Sequence, residues 1–353
     1  MKKILGFLFL CIGVVLFFIF IWGNRTQSGQ PHTALATPTK KSSQAVKISQ
    51  STLFVPYWTL DSLARNYDEY IYFGISPTEK GIDTTDEGYK GIPSFVVQTQ
   101  GHKTLLTLRM LDTSFSSRLF QDEDMQEKII RNTLQVASNN GFDGIVLDLE
   151  YSGLAFPTVT KSITDFSIKF AKEAHGSSLS FYQVLYGDTF YLARPYNVKD
   201  IAQQVDGIFV LSYDFHKANG TPGPNFPMSK SADSDYTFLQ MLSDFSKDVP
   251  KEKLIITFGM FGYDWVVDDK GRSIGSATSL STNEALKKFI GTCNFKSCEI
   301  NSNKFFETQA TYIDVDKEKH EVWFEDLSSV ERKEEVLQQN GISKIGFWAN
   351  GYF

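Results

Sequence analysis

The sequence predicts an α/β chain that closes into an eight-stranded parallel barrel. Apolar, strand-like runs recur at Thr52–Trp58, Tyr70–Ile75, Thr104–Met110, Gly144–Glu150, Leu179–Leu185, Gly207–Tyr213, Leu254–Met260 and Lys344–Trp348, which makes eight. Helix-like stretches such as Gln121–Asn139 and Ile163–Glu173 separate them, with Asn140-Gly141 as a helix stop before the fourth run. The 353 residues exceed the roughly 250 that a (β/α)8 barrel needs. No internal repeat is visible.

The chain opens with Met1-Lys2-Lys3 and an apolar run from Ile4 to Trp22, long enough at about 1.5 Å per residue to cross about 30 Å of hydrocarbon. A secretory signal has a shorter apolar region and a small-x-small site close behind it, whereas Ala34-Leu35-Ala36 lies well downstream. Phe9 and Leu10 before Cys11 are not the small residues of a lipoprotein site. Residues 1–23 are therefore expected to be an uncleaved, single-pass membrane anchor, with the lysines inside and the body outside the cytoplasm at the cell surface. Residues 24–50, rich in Ser, Thr, Gln, Pro and Lys, read as a flexible tether. The barrel is expected over 51–353, with an insertion at about 266–341 between strands seven and eight.

The first 50 residues hold six basic residues and no acid, so the formal −6 of the whole chain leaves −6 − 6 = −12 on the rest. An acidic body disfavours nucleic acid as a partner. A monomer is expected.

Strand four carries the chemistry. Along Gly144–Glu150, side chains alternate, so Ile145, Leu147 and Leu149 share one face and Val146, Asp148 and Glu150 the other. Two carboxylates about 6 to 7 Å apart on the inner face of an apolar strand are costly unless paired or used. A solvated strand end is the bland alternative, and the long apolar run before the acids argues against it.

Asp143-Gly144-Ile145-Val146-Leu147-Asp148-Leu149-Glu150 resembles the strand-four signature of glycoside hydrolase family 18, Asp-Gly-x-Asp-x-Asp-x-Glu, with Val146 where the family usually has an acid or amide. Further stretches agree. Leu211-Ser212-Tyr213-Asp214 resembles the strand-six Met-x-Tyr-Asp, Gly259 to Trp265 resembles the strand-seven end, and Phe347-Trp348 closes strand eight. Glu321 to Asp326 and the helix from Ser328 resemble the spore-cortex-lytic, germination branch. Strand three departs from the pattern: Leu106-Thr107-Leu108-Arg109 stands where the family has Ser-x-Gly-Gly. After strand eight the chain leaves almost no eighth helix.

The resemblance implies a glycosidase acting on β-linked N-acetylated glycans, chitin or peptidoglycan. It also implies a retaining, substrate-assisted route, for which family 18 is a standing exception to the two-carboxylate scheme of most glycosidases. Glu150 is then the general acid/base, Asp148 orients the acetamide, and Tyr213 hydrogen-bonds its oxygen. Asp214, Trp348, Phe261, Trp58 and Arg109 are expected to bind substrate. With valine at 146, Asp148 is expected to be ionised opposite Arg109 and so to favour the acid form of Glu150. A lectin-like barrel that binds glycan without turnover is the competing reading, and the presence of Glu150 weighs against it.

Within the insertion, Ser281–Ile290 is expected to be a helix, and Ala310–Asp314 with His320–Phe324 a hairpin. Cys293 and Cys298 there suit a disulfide outside the cytoplasm; a zinc site lacks a second pair, and two free thiols remain open. No metal or cofactor is expected.

Overall fold

The computed structural model describes residues 46–230, 236–291 and 293–353. The expected anchor over residues 1–23 and the tether up to residue 45 lie outside them. Among the described residues, no helix is long and apolar enough to cross a membrane.

Eight parallel strands close the barrel: Gln50–Pro56, Glu69–Ile75, Lys103–Met110, Gly144–Leu149, Ser180–Tyr186, Gly207–Ser212, Leu254–Gly259 and Lys344–Trp348. The first strand pairs with both the second and the eighth, Leu53 standing opposite Tyr70 and Phe347. Each expected strand is present, with ends moved by one or two residues. Strand one starts earlier than Thr52, and Tyr57–Thr59 turns away as a short 3-10 segment instead of extending it. Val46 and Ser49 already donate backbone hydrogen bonds to Gln338 and Ser343.

The strands look continuously apolar in sequence because both faces are buried. Ile145, Leu147 and Leu149 join the layer that contains Phe166 and Phe170 of the helix Pro157–Gly176. Val146 faces inward with Phe54, Ile71, Leu105, Phe209 and Ile255. The helix Glu123–Asn139 is started by Asp122, whose side chain accepts from the Met125 N–H, and it buries Ile129, Ile130, Leu134 and Ala137 along one stripe. After strand eight, buried Asn350 donates to the Thr59 and Ser62 carbonyls and accepts from the Ala64 N–H, fastening the loop after strand one.

The insertion is a five-stranded antiparallel sheet. Phe261–Val267 pairs with both Thr278–Ser281 and Lys319–Phe324, so Phe261 to Trp265, expected from sequence at the end of barrel strand seven, belongs to this second sheet. The expected hairpin is present as Glu307–Ile313 and Lys319–Phe324. A further strand, Lys296–Lys304, lies beyond it. The helix Thr282–Phe289 is closed by a reciprocal Ser281–Glu284 capping box and packs Ala285 and Phe289 on Ala310, Tyr312 and Phe324. Cys293 and Cys298 are joined as a disulfide with Cα atoms 6.2 Å apart.

A fully buried ion triad attaches this insertion to the barrel. Lys333 Nζ, on the helix Leu327–Gln339, donates to Glu307 at 2.7 Å and Glu325 at 2.5 Å. Glu307 also accepts the backbone N–H groups of Asn225 and Phe226, in the loop after barrel strand six. Burial pushes the Glu325 carboxyl up to about 8, against the opposing pull of the Lys333 ammonium. Lys333→Met leaves Glu307 buried without its cation, and we expect a loss of about 3–5 kcal/mol in denaturant unfolding. A loss below about 1 kcal/mol would show that the triad contributes little.

Candidate active site

The barrel places its chemistry where the strands end. Strand four stops at Leu149, so Asp148 is the last inward side chain within the ladder. Glu150 follows immediately, its N–H still bonded to the Met110 carbonyl at 3.0 Å. Asp148 is only 5% exposed and its Oδ1 has no hydrogen-bond partner. Val146, the preceding inward residue, offers none. Burial, then the nearby Glu150 charge, hold the Asp148 carboxyl well above its ordinary 3.8, against an opposing pull from Arg109. That direction runs against the ionised Asp148 expected from sequence.

Arg109 explains the difference. Its Cα stands opposite that of Asp148 across strands three and four, but its Nη2 donates to Asp86 at 2.5 Å and to the Gly74 carbonyl at 3.0 Å. The guanidinium lies over Tyr57 and Phe73, 5.0 and 5.5 Å from the ring centres. Asp86 is brought there by a short helical turn, Glu87–Lys90, that it caps itself. The turn sits directly on the end of strand two: a Cβ on Gly88 would fall 1.7 Å from the Gly74 carbonyl oxygen. Arg109, expected as the opposite charge beside Asp148, thus spends its hydrogen bonds on Asp86 and Gly74 and pulls on Asp148 only through space, too weakly to offset burial.

Glu150 is half-buried, and its Oε2 accepts a 2.6 Å hydrogen bond from the Tyr186 hydroxyl. Tyr186, the last residue of strand five, is absent from the site residues expected from sequence. The alternation Tyr182, Val184, Tyr186 on the inward face is the available signal, and the expected strand stops one residue short of it.

Tyr213 follows strand six directly. Burial, with the charges of Asp148 and Glu150 next, raises its phenol well above the ordinary value, so it stays a proton donor. Its ring meets Phe261 edge-on at 5.5 Å. Asp214 has a left-handed backbone, φ 60°, and its Oδ1 accepts from the Tyr263 hydroxyl at 2.8 Å. Tyr263 is likewise absent from the expected site, because its strand reads as part of the barrel and not of the second sheet. On the opposite side, Trp348 lies 4.7 Å from Phe73 and 5.7 Å from Phe54, and half-exposed Trp58 meets Phe73 at 6.1 Å. Trp348 and Tyr213 both pack on the inner barrel cluster.

Asp148, Glu150, Tyr213, Asp214, Trp348 and Phe261 are thus gathered at the C-terminal mouth of the barrel, where such folds place their active sites. Trp58 stands at the rim. Among the described residues, the group of side chains spaced to hold a metal is Asp314, Glu318 and His320, in the insertion hairpin, and it includes neither barrel acid.

A closed parallel barrel with two acids at the end of strand four is an arrangement that suits a glycosidase. Residues 98–352 match the glycosyl hydrolases family 18, and the chain belongs to that family. It is 24% identical over 251 residues to the putative sporulation-specific glycosylase YdhD of Bacillus subtilis, covering 69% of this chain and 56% of that protein. It is 23% identical over 265 residues to the cortical fragment-lytic enzyme of Bacillus subtilis, covering 69% and 57%. The chain therefore spans little more than half the length of these relatives. The crystal structure of the Bacillus cereus spore cortex-lytic enzyme SleL superposes with a TM-score of 0.68 at 17% identity, over 86% of this chain and 71% of that one, a likeness of fold.

The raised carboxyl of buried Asp148 makes a stability prediction. A carboxyl whose folded pKa is raised stabilises the fold fully below its unfolded value and loses that contribution as pH rises through the folded value. Asp148→Asn, which cannot ionise, should melt above the wild type at pH 8 by roughly 2–4 °C or more, the size of about 1 kcal/mol in a domain this large. The gap should close towards pH 4. A gap independent of pH would mean that Asp148 is not the titrating group.

Proposed function

We propose that this chain hydrolyses β-linked N-acetylated glycans by a retaining, substrate-assisted mechanism, with peptidoglycan of the spore-cortex type as the favoured substrate. The observation that supports catalysis most directly is the pairing of a half-buried Glu150 with a buried Asp148 whose Oδ1 is free. In this reading the substrate's acetamide oxygen attacks the anomeric carbon while Glu150 protonates the leaving oxygen, and Glu150 then activates water. The acetamide nitrogen gains positive charge as the bond breaks. Asp148, with its Oδ1 free, faces that developing charge and orients the acetamide, so attraction grows towards the transition state. Tyr213 donates to the acetamide oxygen, Asp214 contacts the sugar, and Trp348, Trp58 and Phe261 offer stacking surfaces. Arg109 supports the mouth by holding Asp86.

The choice of peptidoglycan rests on the cortical fragment-lytic relative; chitin shares the acetamide that the mechanism needs. The protein with its anchor and tether would carry this activity at the outer face of the cell membrane. Deleting Met1 to Asn24 should release a soluble protein with activity intact, and loss of folding on that deletion would show that the segment packs on the body.

Incubation with chitooligosaccharides and with purified peptidoglycan, with products identified by mass, tests both substrate and turnover. Glu150→Gln should lower turnover by at least the 10² to 10⁴ typical of general acid–base catalysis while glycan binding persists. Binding without turnover in wild type and variant alike would identify a lectin instead.

A further inference from the structure

Glu150 sits one residue beyond its strand, where the ladder no longer fixes the direction of a side chain. The segment after strand five supplies what the ladder does not. Tyr196 donates its hydroxyl to the Leu149 carbonyl at 2.7 Å and accepts from the Tyr151 N–H at 3.2 Å, so it grips the backbone on both sides of Glu150. Tyr186 holds the carboxyl itself through the 2.6 Å bond to Oε2. Burial and the Glu150 charge push the Tyr186 hydroxyl far above its ordinary value, so it donates and does not titrate.

Tyr186 is in turn held from behind. The Arg194 guanidinium lies over its ring, 3.8 Å from the centre, and is fixed by a fork to Asp188 through Nε and Nη2. Both members of that pair are mostly buried, with side chains 14% and 12% exposed. A guanidinium over a phenol ring polarises its O–H and strengthens its donation. The Lys217 ammonium lies 5.8 Å from the centre of the same ring.

We propose that Tyr186, set by the Arg194–Asp188 pair, is the positioning residue that aims Glu150 and, through its hydrogen bond to Oε2, stabilises the carboxylate left after proton transfer. This rests on Glu150 being the general acid. One oxygen of the carboxyl is occupied by Tyr186, which leaves Oε1 for the leaving group. The titratable groups that face Glu150 are Asp148 from its own strand, Tyr186 and Tyr196 from the strand-five segment, and Tyr213 from strand six. Of these, only Tyr186 hydrogen-bonds the carboxyl among the described residues. The direction follows: an O–H donated to Oε2 favours the carboxylate, so its removal keeps the acid form to higher pH.

The test is the pH profile of the full chain on its glycan substrate. Tyr186→Phe keeps the ring under Arg194 and removes only the hydroxyl. Its kcat should fall roughly 10- to 100-fold with KM within about twofold, and the alkaline limb of kcat should move to higher pH. Arg194→Met, which leaves the hydroxyl in place but removes the cation, should shift the limb in the same direction by less. An alkaline limb unmoved in both variants overturns the proposal, whatever happens to the rate, because a merely structural role lowers activity without moving the limb. Glu150→Gln separates the two levels of the argument. Retained turnover in that variant removes the general acid and this proposal with it; an inactive Glu150→Gln beside a wild-type profile in Tyr186→Phe removes this proposal alone.

Discussion

Burying a carboxyl without a hydrogen-bond partner is the constraint from which the rest of the mouth follows. Asp148 lies inside the barrel beside a second acid, and the desolvation that would accompany its charge outweighs the attraction of Arg109 on the next strand. The balance moves towards the protonated form, which lowers repulsion of Glu150; two fixed charges at successive inward positions of one strand would cost much more.

The neighbouring elements answer the same constraint with phenols. Tyr186 and Tyr213 come from the ends of strands five and six, and burial keeps both in the donor form. Cations stand behind this ring and not inside it: Arg109 is tied to Asp86, and Arg194 to Asp188. Such pairing fixes loops at the mouth while leaving no strong cation in contact with Asp148. The buried Lys333–Glu307–Glu325 triad does comparable work one layer out, joining the insertion to the loop that carries Asn225 and Phe226. Asn225 then bonds the carbonyls of Gly259 and Phe261, at the step from barrel to second sheet.

The fold is legible in the sequence because both strand faces are apolar, so eight buried runs stand out against amphipathic helices. Strand four is legible for the opposite reason, since charge on an inward face is conspicuous. Phe261–Val267 is misassigned from sequence because it leaves strand seven after the single residue Met260, and no turn residue marks the change of sheet. Arg109 is given the wrong partner because strand register places its Cα opposite Asp148, whereas its long side chain is directed by Asp86, a residue in a loop whose approach depends on Gly88. Tyr186 is missed for its context: an aromatic at a strand end is usually core, and only the placement of Glu150 gives its hydroxyl a role.

Val146 can now be placed among the same forces. An acid or amide there would lie on the inward face directly below Asp148 and could take a share of its proton, drawing the carboxyl down into the barrel. Valine closes that route and packs with Phe54, Leu105 and Phe209, sealing the floor under the acid. The Oδ1 then has no partner from the barrel beneath and is left for a group that enters the mouth. A group that enters the mouth and develops positive charge would therefore meet the Asp148 carboxyl without any rearrangement of the barrel beneath.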